Sequence, residues 1–170
     1  MILLRRIKCT LSSDSLFKAA KAVQEYKNSL NRKVDEFVER LADIGVETIS
    51  ATLSDIPQEE KDTDSPQVGH TAVSGGRIEV YLSGTQVLFI EFSAGITFGS
   101  NNYPLPSGAS YGAGTYPGKW HWDDPGGWWY RKDGESHHTY GNKAYMPMYN
   151  ADAQMRQQIE RIAKEVFRYG

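Results

Sequence analysis

Six residues between positions 121 and 138 are of types that move protons or hold metal ions: His121, Asp123, Asp124, Glu135, His137 and His138. An imidazole can exchange a proton near neutral pH, and carboxylates can hold a cation that activates water. Together they would suit a small metal-dependent nuclease or toxin. The spacing H-W-D-D…E-S-H-H matches no zinc or nuclease signature, however. No base with a second group to orient it is legible either. A polar loop with hydrogen-bonded or exposed histidines accounts for the same residues. Glu91, inside V-L-F-I-E-F, is a second candidate. A buried carboxylate needs partners. It would be a general acid or, more commonly, a structural Glu bonded to backbone amides or to an Arg. The single cysteine, Cys9, excludes an internal disulfide and a multi-cysteine metal site. With no base beside it, Cys9 is expected as a small buried hydrophobe. The glycines of Y-G-A-G-T-Y-P-G neither follow a strand nor open a helix, so they make no phosphate-binding loop.

Aromatic residues crowd the same region: Tyr111, Tyr116, Trp120, Trp122, Trp128, Trp129, Tyr130 and Tyr140. Rings of this kind stack on sugars or bases, anchor protein interfaces, or form a satellite core that lets a long loop hold its shape. Few basic residues accompany them, which favours interface and satellite core over nucleic-acid stacking. The candidate interface set is Tyr116, Trp120, Trp122, Trp128, Trp129 and Tyr130. Successive side chains of an extended segment alternate, so the Trp128 and Trp129 indoles are expected on opposite sides. One would face the domain and the other a subunit or partner.

The elements that must position these residues are legible in part. Leu16, Ala20, Val23, Leu30, Val34, Phe37, Leu41 and Ile44 recur at three- and four-residue steps, the apolar face of one long amphipathic helix. Lys27 fills one slot of that face, and Ser12, Ser13 and Asp14 are candidate N-caps. Gly45 is a possible stop, but Val46, Ile49 and Leu53 keep helical spacing and favour continuation. A helix this long is expected to pack partly on a neighbouring subunit. Residues 55–66 are acidic and polar and read as a mobile surface loop. Val68, His70 and Ala72 alternate, as do Ile78, Val80 and Leu82. Ser74-Gly75-Gly76-Arg77 between them is a hairpin turn. The run 87–92 suits a buried strand or a short helix equally. Regular structure is expected to be sparse over 99–142, save a strand at Trp128-Trp129-Tyr130-Arg131. Met155, Ile159, Ile162, Ala163, Val166 and Phe167 mark a terminal helix that starts near Asn150.

Length and composition bound the class. A chain of 170 residues is most simply one domain, 1–170, with 99–141 as an aromatic insertion. Its 19 basic against 21 acidic residues give a net charge of −2, which excludes a strong basic field and argues against generic nucleic-acid binding. M-I-L-L-R-R-I is too short for a signal peptide or membrane span, so no membrane partner is expected. The fold class expected is α+β: long N-terminal and C-terminal helices on a small antiparallel sheet, with a long aromatic loop. Helix packing is expected through Leu30, Val34, Phe37, Leu41, Ile159, Ile162 and Val166.

Three segments in this order resemble tail-completion, or head–tail joining, proteins of long-tailed bacteriophages. They are the long helix with L-A-D-I-G-V-E near its end, S-G-T-Q-V-L-F-I-E-F-S-A-G-I-T-F, and M-P-M-Y-N-A leading into the last helix. The second is similar to the family's apolar segment ending in Glu-aromatic-small-x-Gly, the third to its Pro-aromatic-x-x-Ala helix entry. The insertion 99–141 is longer than in compact members. The resemblance implies a structural virion protein of the neck, made in the host cytoplasm and placed at the head–tail junction. It implies a ring, hexameric in the family, touching head adaptor or stopper proteins on one side and tail-tube or tail-terminator proteins on the other. It carries no catalytic residues, no metal and no cofactor. The alternatives are the nuclease or toxin above and an aromatic glycan-binding module.

Overall fold

The computed structural model describes residues 7–57, 66–92, 126–132 and 134–168. Helix α1 (Ser13–Ser54) is followed by strands β1 (Gln67–Ala72) and β2 (Ile78–Ser83), then a short helix α2 (Val87–Phe92). Strands β3 (Trp128–Lys132) and β4 (Glu135–Thr139) precede the terminal helix α3 (Pro147–Phe167). The class is α+β, as expected. The strands form two separate antiparallel hairpins rather than one sheet.

Helix α1 is one uninterrupted element of 42 residues. The Ser12 side chain accepts from the amide of Ser15 at 3.3 Å, satisfying one of the unpaired N–H groups of the first turn. Gly45 does not stop the helix. It is buried, and a Cβ there would lie 2.9 Å from Met155 Sδ of α3. The missing side chain makes room for the Met155 thioether.

The helices run antiparallel. The Phe37 and Phe167 rings meet with centroids 5.9 Å apart near the end of α3, while Gly45 faces Met155 nearer its start. The core between them is Ala42, Gly45 and Ile49 of α1 with Ala151, Ile162 and Val166 of α3. Two expected contacts fall outside it: Leu30 and Ile159 are 40% and 45% exposed. The apolar stripe of α1 is continuous, but α3 has 21 residues and covers only its C-terminal half.

The first hairpin pairs Val68 with Leu82 and His70 with Val80, in the expected register. Its turn has positive φ at Gly75 and Gly76 (62° and 72°). This hairpin packs on α1. His70 Nε2 lies 3.0 Å from Asp43 Oδ1, and the turn approaches Val34. Helix α1, rather than a sheet, is thus the common support for α3 and β1–β2. The acidic segment expected to be mobile lies mostly outside the described residues, at 58–65. Cys9 is exposed, not buried as expected. It precedes the Ser12 cap, outside helix α1.

Arg40 of α1 and Arg161 both donate to the Glu165 carboxylate, joining the helices. Those hydrogen bonds, Arg40's first, hold the Glu165 carboxyl below its ordinary value. A lowered carboxyl pKa stabilises the fold above the unfolded-state value, and that gain is lost as pH falls through the folded one. Thermal melts of Glu165→Gln should therefore lie slightly below wild type at pH 7 and coincide with it in strong acid. The gap should stay small throughout, because the group is solvent-exposed and screened.

Candidate functional site

Two constructions stand out, and each joins residues that are distant in sequence. The first is at the start of α3. Its N-cap, Met146, adopts the left-handed conformation (φ 57°, ψ 43°) and makes no side-chain capping bond. Pro147 follows at the first helical position, where its missing N–H costs nothing and its fixed φ suits the helix. The next amides have no partner within their own helix. Glu91 supplies it from α2. Met148 N donates to Glu91 Oε2 at 2.8 Å and Tyr149 N to Glu91 Oε1 at 3.0 Å. The carboxylate is 5% exposed and sits at the positive end of the α3 dipole.

Further bonds close the same seam. Tyr145 N donates to Ile90 O at 2.8 Å, and Asn142 Nδ2 to Phe89 O at 2.9 Å. Both serve carbonyls of α2, which as a helix of six residues has few internal bonds. Asn150 Nδ2 reaches back to Tyr145 O at 3.2 Å. The run 87–92 is therefore a short helix, and Glu91 has the backbone-amide role. Both its oxygens accept from backbone amides.

The second construction is the β3–β4 hairpin. Trp129 is paired with His138 and Tyr130 with His137. Alternation separates the two indoles: Trp128 is 8% exposed and Trp129 is 70% exposed. On the Trp129 face the rings form an edge-to-face row. Trp129 and His138 centroids lie 5.0 Å apart, His138 and Tyr140 4.8 Å apart. Such geometry matches ring edge to ring face and holds the exposed indole in place. His138 Nε2 lies 2.9 Å from Gly126 O. A carbonyl only accepts, so Nε2 carries the proton and donates. On the other face Tyr130 stacks on His137 at 5.5 Å.

The histidines of the E-S-H-H segment are thus parts of aromatic pairs across a hairpin. Among the described residues no group of three or more His, Cys, Asp or Glu side chains could hold a metal ion. Nor is any described helix long and apolar enough to cross a membrane. Tyr116, Trp120, Trp122, His121, Asp123 and Asp124 lie outside the described residues. No protein-family model, curated protein or solved structure matches this chain.

Sequence reading missed β4 and the ring pairs, although Asp133-Gly134 between W-W-Y-R-K and E-S-H-H-T is a strong hairpin signal. Gly127 anchors the hairpin base. Its φ is 72°, and a Cβ there would strike the Thr139 carbonyl oxygen and crowd the His138 ring.

Two sets of substitutions follow. Glu91→Ala orphans two part-buried amides and should lower stability by about 2–4 kcal/mol, with Glu91→Gln losing roughly half as much, read by urea denaturation. Trp128→Ala should cost about 3–5 kcal/mol because the ring is buried. Trp129→Ala should leave the melting temperature within about a degree of wild type, as for an exposed side chain far from the core.

Proposed function

We propose that this protein is a structural component of a tailed-phage virion at the head–tail junction, assembling as a ring and performing no catalysis. The observation that carries the reading is the uncovered half of α1. Ahead of Val34 the helix presents Leu16, Phe17, Val23, Tyr26 and Leu30, each at least 40% exposed. An amphipathic helix left open over half its length requires another protein surface to bury it. The Trp129–His138–Tyr140 row is a second exposed apolar surface on a different element. Cyclic rings join unlike faces, so a ring subunit needs two such surfaces on one chain. The ordered segments that resemble tail-completion proteins supply the virion context. Two of those segments, V-L-F-I-E-F and M-P-M-Y-N-A, meet in the Glu91 cap.

In this reading the chain is made in the host cytoplasm and docks between head adaptor or stopper proteins and the tail tube or its terminator. It needs no metal and no cofactor. Cryo-electron microscopy of virions carrying the chain should show it as a ring between head and tail, six-fold if the family's number holds. Its absence from purified virions would overturn the proposal. So would metal-dependent nucleic-acid cleavage by the purified chain that is lost in His138→Ala.

A further inference from the structure

Among the described residues no other element covers α1 over residues 13–33, which form an arm. The body begins beyond it, where the hairpin turn lies beside Val34 and the end of α3 lies beside Phe37. The arm is roughly 30 Å long at 1.5 Å per residue. Its apolar seam repeats every seven residues at Leu16, Val23 and Leu30, in phase with Phe37 and Ile44 in the body. A seven-residue repeat is the spacing that a second helix packed knobs-into-holes would match.

The seam is also symmetric about Val23. Positions 16, 19, 20, 23, 26, 27 and 30 read the same spacing in both directions. Reversing the chain about Val23 sets Leu16 opposite Leu30. It sets Tyr26 opposite Ala20, and the Lys27 stem opposite Ala19. Every large side chain off the axis other than the leucines meets an alanine. Val23 is also the midpoint of residues 13–33, so an antiparallel partner would end where the body begins.

We propose that in the free protein two copies pair through these arms, antiparallel, about a two-fold axis at Val23. Charge favours this direction over the parallel one. A parallel pair would place Lys27 against Lys27 in the seam. The antiparallel pair separates them by about 12 Å along the axis, given four residues on either side of the centre. That exceeds the Debye length of about 10 Å at 0.1 M salt. The two arms together would bury on the order of 1,000 Å², at the lower limit for a specific interface, so the pair is reversible. The inference uses the arm but does not rest on the junction reading. A two-fold pair closes on itself and builds no larger ring. It is therefore a form that precedes assembly, in which each copy shields the other's open helix.

The test uses the full chain. Sedimentation equilibrium should show a monomer–dimer equilibrium at micromolar concentrations. Val23→Glu places two like charges at the axis and should shift that equilibrium to monomer, with unchanged circular dichroism. In a Cys9→Ser background, Leu16→Cys and Leu30→Cys variants are mixed and oxidised. The proposal expects disulfide-linked 16–30 pairs and essentially no 16–16 or 30–30 pairs. A wild type that is monomeric throughout, a Val23→Glu that still dimerises, or predominant 16–16 linkage would each overturn it. A chain that pairs in this way but is missing from virions would leave the pair intact and remove only the junction proposal.

Discussion

The Glu91 carboxylate at the start of α3 is the interaction on which the rest of this structure depends. Helix α3 opens badly on its own account: Met146 is in a left-handed conformation with no capping side chain, and Pro147 contributes no amide. Left alone, the amides of Met148 and Tyr149 would face a part-buried seam without acceptors, at a cost comparable to lost hydrogen bonds. Glu91 answers both with one carboxylate, and its negative charge suits the helix end. The dependence is mutual. A helix as short as α2 does not persist alone in water. Its carbonyls at Phe89 and Ile90 are met by Asn142 and Tyr145, which lie just before α3. Each helix therefore completes the other's terminus.

Seating α3 in this way settles what it covers. With its start held beside α2, its 21 residues run back along α1 only as far as Phe37. Ala42, Gly45 and Ile49 are buried, and the same apolar stripe continues uncovered toward Leu16. The first hairpin stops at a similar level, with its turn beside Val34. The exposed arm is thus a consequence of unequal helix lengths. It is also the feature that most distinguishes the chain from a self-contained domain, since burying a Leu or Val side chain is worth about 1.5–3 kcal/mol.

Local pattern carried much of this fold. The three- and four-residue steps of α1, the Gly-Gly turn with its alternating flanks, and the spacing of α3 each report a periodicity that one element satisfies by itself. The fold class, the first hairpin and the passage of α1 through Gly45 followed from them. What was illegible depends on pairing between distant segments. V-L-F-I-E-F is too short for its period to separate strand from helix, and only the amides it caps make Glu91 a terminus-binding group. Leu30 and Ile159 read as core because periodicity identifies an apolar face without saying how far its cover extends. Cys9 read as buried from residue type alone, but it precedes the helix cap and is exposed. The aromatic hairpin was half legible. The alternation that separates Trp128 from Trp129 is local, whereas the pairing of Trp129 with His138 requires the second strand.

The central claim is that Glu91 closes the first turn of α3 as firmly as the helix interior. Amide hydrogen exchange at Met148 and Tyr149 tests it most directly. First-turn amides of an ordinary helix lack intrahelical partners and exchange quickly. Here both should be protected to nearly the same degree as Ile162 in the middle of the core, and that protection should vanish selectively in Glu91→Ala, which removes both acceptor oxygens. Exchange of the two amides at the rate of a frayed helix end in the wild-type protein would contradict the account.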